Sequence, residues 1–466
     1  MFTPGLPLSP TFLFMKTKLL KLLALVLVIL VNVIVIPAVF AQENAVTLTI
    51  DEAVQAALEN NLSLRRVALD LGTRKRAAGR SWNSLLPTLG TSAIVSHPTS
   101  ITGEIMPAQT ASPDGRPQDR DVWTPGFSLS TGLNLSASVI ENIKKAQADY
   151  ELGVLTWESA RQELELQVRK LFYQILLLDA NRELATQNLA SAQARYEQTT
   201  ALTRTGQAPR LDELSARVDM ENQRPAVRNA EMLYENALDT MKIILGIPVE
   251  TGVKLNGELA GEINADITAV HTGTGASLET SKLLKSIKSM EAQRNTIRNG
   301  AYIPSLRLSW TSTPVYNLQN EYWNDSGSFS ISLGFNLDNL FPWSNTKTQI
   351  DALNDSINAA QIQLTETLRN SENRISQNVR TIERIVESLE AMRLNVELAQ
   401  STYEMYEDSF KRGAVDYQRL RSAGDSLEQA KNRLLQEQYN LISALLDLEK
   451  ELNIPFGTLS RDTPSH

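Results

Sequence analysis

The chain contains no cysteine. That excludes disulfides, thiolate metal sites, thiol nucleophiles and a lipidated cysteine behind a leader. Any membrane attachment must therefore come from the folded chain itself. Histidine is nearly as scarce: His97, His271 and His466 are the only three, and none has metal-ligand spacing. There is no Gly-x-x-x-x-Gly-Lys phosphate loop, no nucleophile elbow and no other recognisable Ser/His/Asp arrangement. These absences predict a protein that is not an enzyme and has no cofactor and no metal. Lys and Arg total 45 against 53 Asp and Glu, a net charge of −8, which argues against nucleic acid as a partner.

Long apolar runs are missing too, with one exception. Lys16, Lys18 and Lys21 precede a run from Leu22 to Ile36, and the small-residue stretch Ala38 to Ala41 follows. Residues 1–41 therefore read as a secretory signal peptide. Met15 is a more natural start than Met1, because Pro4, Pro7 and Pro10 precede it without targeting logic. A retained signal anchor is the other reading. No second apolar run of about 20 residues follows, which favours cleavage. An exported chain of this kind is periplasmic, outer-membrane or secreted.

What is present is written twice. Phe127 to Leu135 returns as Phe329 to Leu337, 202 residues later; Tyr196, Gly206 and Leu245 return as Tyr403, Gly413 and Leu452, 207 residues later. A tandem supersecondary unit builds one continuous architecture. The first repeat spans 42–248, with a helix from Ile50 to Trp82, strands at about 86–96 and 124–136, a long helix at about 139–203 and a returning helix at about 211–246. The Gly-, Thr- and Ala-rich segment 249–275 links it to the second repeat, 276–456. There the helix Ser277 to Gly300 precedes strands at about 303–312 and 327–337, a long helix at about 344–412 and a returning helix at about 417–453. Residues 457–466 form a tail.

Proline and glycine are both absent from Ser344 to Arg412, and only Gly153 interrupts Val139 to Thr203. From Ser344 to Arg412 apolar or small residues recur mostly at steps of three and four, close to a coiled-coil heptad. At about 1.5 Å per residue such a helix spans on the order of 100 Å. Each long helix has room for two shorter ones stacked beside it. Pro225 falls inside the first returning helix, marking either a kink or a break between helical segments.

The strands alternate. Phe127, Leu129, Leu133 and Leu135 stand against Ser128, Ser130, Gly132 and Asn134; Phe329, Ile331, Leu333, Phe335 and Leu337 stand against Ser330, Ser332, Gly334 and Asn336. About ten alternating residues suit a tilted membrane strand, and a half-buried soluble sheet as well. Trp82, Trp123, Trp310, Trp323 and Trp343 cluster within or beside the strands, like a barrel's aromatic girdle. The apolar strand residues are then lipid-facing. Four strands cannot close a barrel, and lipid tolerates no open edge, so the membrane reading requires several copies of the chain.

The opening Leu48 to Asn61, the Leu86-Pro-Thr-Leu89 segment with its echo Ile303-Pro-Ser-Leu306, and the tandem repeat resemble outer-membrane efflux proteins of the TolC family. The resemblance covers nearly the whole mature chain. It implies a mainly α fold with a membrane β-barrel, in which a homotrimer pools four strands per protomer and forms a periplasmic helical tunnel. It implies a passive outer-membrane exit duct for efflux or type I secretion. Its partners are outer-membrane lipid, a periplasmic adaptor (membrane fusion) protein and an inner-membrane pump of RND, ABC or MFS type. The alternative is a soluble periplasmic coiled-coil scaffold or adaptor-like tether.

Between the long and returning helices lie two tips. Arg204, Gly206 and Pro209 mark the first, and Lys411, Arg412 and Gly413 the second. Glycine suits a left-handed helix cap, the basic residues suit helix C-termini, and Asp212 and Asp416 suit the starts of the returning helices. Beyond these structural roles, the resemblance implies adaptor docking at the tips and a tunnel gate at Asp416, Tyr417, Gln418 and Arg421. Some relatives carry an acidic ring at the gate, but Gln418 and Arg421 depart from it. The strand connections His97 to Trp123 and Pro314 to Ser326 are expected outside the cell.

Overall fold

The computed structural model describes residues 46–96, 124–259, 277–317, 322–325 and 327–459. The signal segment 1–41, the connection 97–123, residues 260–275 of the linker and the end of the tail lie outside the described residues. One compact unit comprises 47–249 and 255–466; a small second unit includes Val46 and residues 250–254. Only the large unit carries the architecture below.

Seven helices and six strands build it: α1 (Ile50–Asn60), α2 (Leu62–Arg80), β1 (Thr88–Ser96), β2 (Thr124–Leu135), α3 (Ala137–Arg204), α4 (Arg210–Leu245), α5 (Leu278–Tyr302), β3 (Ser305–Ser312), β4 (Val315–Asn317), β5 (Tyr322–Asn324), β6 (Gly327–Gly334), α6 (Asn345–Lys411) and α7 (Tyr417–Leu452). The three-residue strands Val46–Leu48 and Val253–Leu255 complete the described elements, with 3-10 turns at Ser81–Leu85 and Leu337–Leu340. Among the described residues, no helix is long and apolar enough to cross a membrane.

The opening segment shows how local chemistry sets an element. Thr49 and Glu52 form a reciprocal capping box at the start of α1. The helix expected from Ile50 to Trp82 is in fact two helices, because Asn61 intervenes. Its Oδ1 accepts from Ser63 and Leu64 N–H (3.0 and 3.1 Å), starting α2. Its Nδ2 donates to the Ile244 carbonyl (2.9 Å), satisfying the end of α4. One asparagine thus breaks one helix and serves the ends of three.

Packing orders the helices. Near the strands the neighbours run α2, α3, α5, α6; at the far end they run α4, α3, α7, α6. The long α3 and α6 each pass from one set to the other. One apolar cluster joins Ile382, Ile385 and Leu389 of α6 to Leu441, Leu445 and Leu448 of α7. A second joins Leu166, Tyr173 and Leu177 of α3 to Ile442 and Leu446 of α7. Pro225 sits within the continuous helix α4, so it marks no break between segments.

The strands make one antiparallel sheet. β1 pairs with β2, β2 with β3 and β3 with β6. Beyond Pro314 the β3 arm continues as β4, which pairs with β5 leading into β6, a hairpin extension that the sequence pattern missed. The register gives the sheet two faces. Phe127, Leu129 and Leu133 of β2 share a face with Leu308 and Trp310 of β3, and these oppose Ile331 and Phe329 of β6. The other face carries Ser128, Ser130, Arg307, Ser309 and Ser330, with Ser309 and Ser330 hydroxyls 2.7 Å apart. Ile94 and Val315, both opposite Gly126, are apolar exceptions on this polar face. The strand expected to reach residue 337 ends at Gly334. Phe335 lies beyond it and Leu337 begins a 3-10 turn, so neither is a strand residue.

Candidate functional site

The long helices end at both tips in the same glycine turn. Gly206 has φ +76° and Gly413 φ +70°, the left-handed region that costs glycine nothing. Gly206 N–H donates to the Thr203 carbonyl and Gln207 N–H to Leu202; Gly413 N–H donates to Phe410 and Ala414 N–H to Ser409. Each pair closes a Schellman cap, and nothing lies near either glycine's missing Cβ. Arg204, Lys411 and Arg412 are exposed at these C-termini, with Lys411 3.2 Å from Glu407. Pro209 is the N-cap residue of α4, and Asp212 lies within its first turn. The α7 N-cap is Asp416, whose Oδ1 accepts from Arg419 N–H at 3.0 Å. Burial, then the neighbouring Asp416 charge, raises the Asp212 pKa. The starts of α4 and α7 thus lie close enough for these two like charges to interact, and the helices touch directly.

Behind the tips the two hairpins are tied by side chains. Tyr417 is fully buried with Ala216, Phe410 and Leu420. Its ring meets Phe410 edge-on at 6.0 Å, and its hydroxyl donates to Asp219 Oδ2 of α4 at 2.8 Å. Arg421 reaches the other oxygen, Oδ1, at 3.2 Å, and its Nε lies 3.8 Å from Asp425. Burial and the Asp219 carboxylate push the Tyr417 hydroxyl well above the ordinary tyrosine range. Arg195 of α3 donates to the Tyr403 hydroxyl of α6 at 3.1 Å, joining the long helices above the same cluster. Of the four gate residues read from the sequence, Tyr417 and Arg421 converge on Asp219, Asp416 caps the helix, and Gln418 is exposed. Asp219 was missed because a lone acid in a polar helix has no local signature.

Among the described residues, no group of His, Asp and Glu is placed to hold a metal. The tip combines two helical hairpins, glycine-turned ends and a buried polar tie between them.

A family-wide sequence model described as "Outer membrane efflux protein" matches residues 53–247 and 284–453. No match was found among functionally curated proteins. Several solved structures share the fold. The Campylobacter jejuni CmeC outer membrane channel superposes with TM-score 0.74 at 15% identity, over 86% of this chain and 85% of its own. The Vibrio cholerae outer membrane protein VceC gives 0.71 at 15% identity, over 87% and 96%. The open-state Neisseria gonorrhoeae MtrE outer membrane channel gives 0.70 at 18% identity, over 87% and 89%.

Proposed function

This chain belongs to the outer membrane efflux protein family, and from that premise we propose that three copies of it form the passive exit duct of a tripartite export system. It is an outer-membrane channel that extends into the periplasm. The observation that carries the trimeric reading is the sheet. It has an apolar face, a serine-rich face and two open edges, β1 and β6, among the described residues. In lipid each edge needs a partner, and closed barrels leave none unpaired. Three copies pairing β6 to β1 give twelve arms in a ring. The apolar face then meets lipid and the polar face lines the passage. A soluble scaffold leaves the apolar face without a partner.

In this reading the duct supplies passage and no catalysis. The two tips, with Arg204, Gly206, Pro209, Lys411, Arg412 and Gly413, dock a periplasmic adaptor that links the duct to an inner-membrane pump. Small, rigid, glycine-turned ends suit insertion between another protein's helices. The tie from Tyr417 and Arg421 to Asp219 holds α7 against α4, and its release lets the second hairpin move. Asp416 caps the moving helix, and Gln418 is the polar neighbour that changes surroundings when it swings.

Membrane fractionation and planar-bilayer recording test this reading. The native protein is expected in the outer-membrane fraction, and the purified trimer is expected to conduct ions. Recovery from the soluble periplasm without detergent, or a trimer that never conducts, overturns it.

A further inference from the structure

We propose that the segment Asp338–Trp343, which only the second repeat contains, is a clasp that seats on the Ser81–Leu85 turn of the next copy in the trimer. The inference rests on the trimeric reading above and adds a contact that the repeat pattern does not contain.

The two repeats differ at one junction. In the first, β2 ends at Leu135 and Ser136 immediately caps α3. In the second, the equivalents are Leu337 and Ser344, with Asp338-Asn-Leu-Phe-Pro-Trp343 between them. This insert is held in place. Asn339 Nδ2 donates to the Ala301 carbonyl at the end of α5 (3.2 Å), and Thr346 of α6 donates to Asn339 Oδ1 (2.7 Å). What it presents is apolar and uncovered: Leu340 is 58% and Trp343 78% exposed, with Phe341 stacked on Trp343 at 5.1 Å. A cleft of about 750 Å³ opens beside it, lined mostly by polar residues such as Asn336 and Asn345, with Phe341 and Trp343 at its side. Fixing large apolar side chains in water is unfavourable, so a partner is expected.

The order of elements identifies that partner. The sheet runs β1, β2, β3, β6, and the helices beneath run α2, α3, α5, α6. The same edges therefore coincide in both layers. At one edge α2 leads into β1 through the turn Ser81–Leu85; at the other, β6 leads into α6 through the insert. Antiparallel closure sets the end of β6 beside the start of β1 of the partner subunit. It thereby sets the insert against the turn. That turn is apolar and uncovered as well, with Trp82 53%, Leu85 41% and Leu86 46% exposed. Charge matches at the rim: Asp338 on one side and Arg80, just before the turn, on the other. One contact explains both exposed clusters.

Because the chain has no cysteine, the variant Trp82→Cys/Trp343→Cys reports the contact cleanly in the full-length protein. A short bis-maleimide is expected to yield covalent dimers and a closed covalent trimer. The linked fraction is expected to rise roughly tenfold over either single variant, because local thiol concentration across a fixed contact is on the order of mM. A trimer by native mass that gives no ladder overturns the clasp and leaves the trimeric reading standing. A parent protein that forms no trimer overturns both. Deletion of residues 338–343, which restores the first repeat's junction, is expected to lower the temperature at which detergent-solubilised trimers dissociate, with helical content retained; an unchanged temperature overturns the clasp. Strong quenching by phospholipids with brominated chains of a variant that keeps Trp343 as its sole tryptophan, with no crosslinking in the cysteine pair, overturns it in favour of a membrane anchor.

Discussion

Replacing Tyr417 by phenylalanine tests the proposed latch with the least collateral change. The ring is fully buried and packs against Phe410, and phenylalanine keeps that packing. Only the hydroxyl is lost, and with it the 2.8 Å bond to Asp219 Oδ2. The acceptor is a carboxylate whose side chain is 10% exposed, so water replaces the lost donor poorly. A hydrogen bond to a charged group contributes roughly 1.5–3 kcal/mol. At about 1.36 kcal/mol per tenfold, the closed arrangement should weaken by on the order of 10- to 100-fold per protomer. Arg421→Gln removes the other partner, but Arg421 is 41% exposed. Exposed pairs contribute about 0–1 kcal/mol, so the single change should shift the equilibrium less than about fivefold. Single-channel recording reads both. Tyr417→Phe should raise the open fraction far more than Arg421→Gln, and the double variant should exceed either. A Tyr417→Phe channel indistinguishable from the parent, or one surpassed by Arg421→Gln, would refute the reasoning.

Gly413→Ala places a Cβ at φ +70°, where space is open but the backbone is strained by about 1–2 kcal/mol; export assays should show loss of transport while native mass still gives trimers. Ile331→Arg puts a charge opposite Leu308 on the apolar sheet face, costing about 2–4 kcal/mol near a bilayer midplane. Ser330→Arg, on the other face, should be tolerated, and heat-modifiability on gels separates the two. Glu449 is buried and accepts from Gly457 N–H (2.9 Å) and Leu459 N–H (2.7 Å). Burial, the largest cause, raises its pKa. Its folded form thus holds the proton more tightly than the unfolded chain, so its contribution is complete below about pH 4.3 and falls as pH rises through the folded value. Relative to Glu449→Gln, which stays neutral at every pH, the parent should lose thermal stability in detergent as pH rises through that window.

The long helices were legible because nothing in them forbids a helix: one glycine and no proline in α3, and neither in α6. The sheet was legible because alternation is visible residue by residue, and its open edges followed from counting arms. Three features escaped. Asn61 is compatible with a helix interior, and its double capping role depends on Ile244, far along the chain. The strand after Pro314 was hidden because proline normally ends pairing, yet here its carbonyl accepts from Phe127 N–H at 2.9 Å. At the tip, Tyr417 and Arg421 stood out beside a glycine turn, but Asp219, on which they converge, lies in a different hairpin. Side-chain ties between distant helices carry no periodic signal.

The four Schellman caps repeat at a spacing of 207 residues, with Asn453 at φ 53° taking the place that Gly246 holds at φ 69°. Such fidelity is the trace of a gene duplication. An ancestral half-length chain offering two arms would have needed six copies to close the same ring, and every subunit would have performed every task. Fusion halved the number of chains and released each half from that uniformity. The buried acid at Asp219, the proline at 225 and the six residues before Ser344 each occur in one half only. Division of labour between hairpins became possible once two of them shared a single polypeptide.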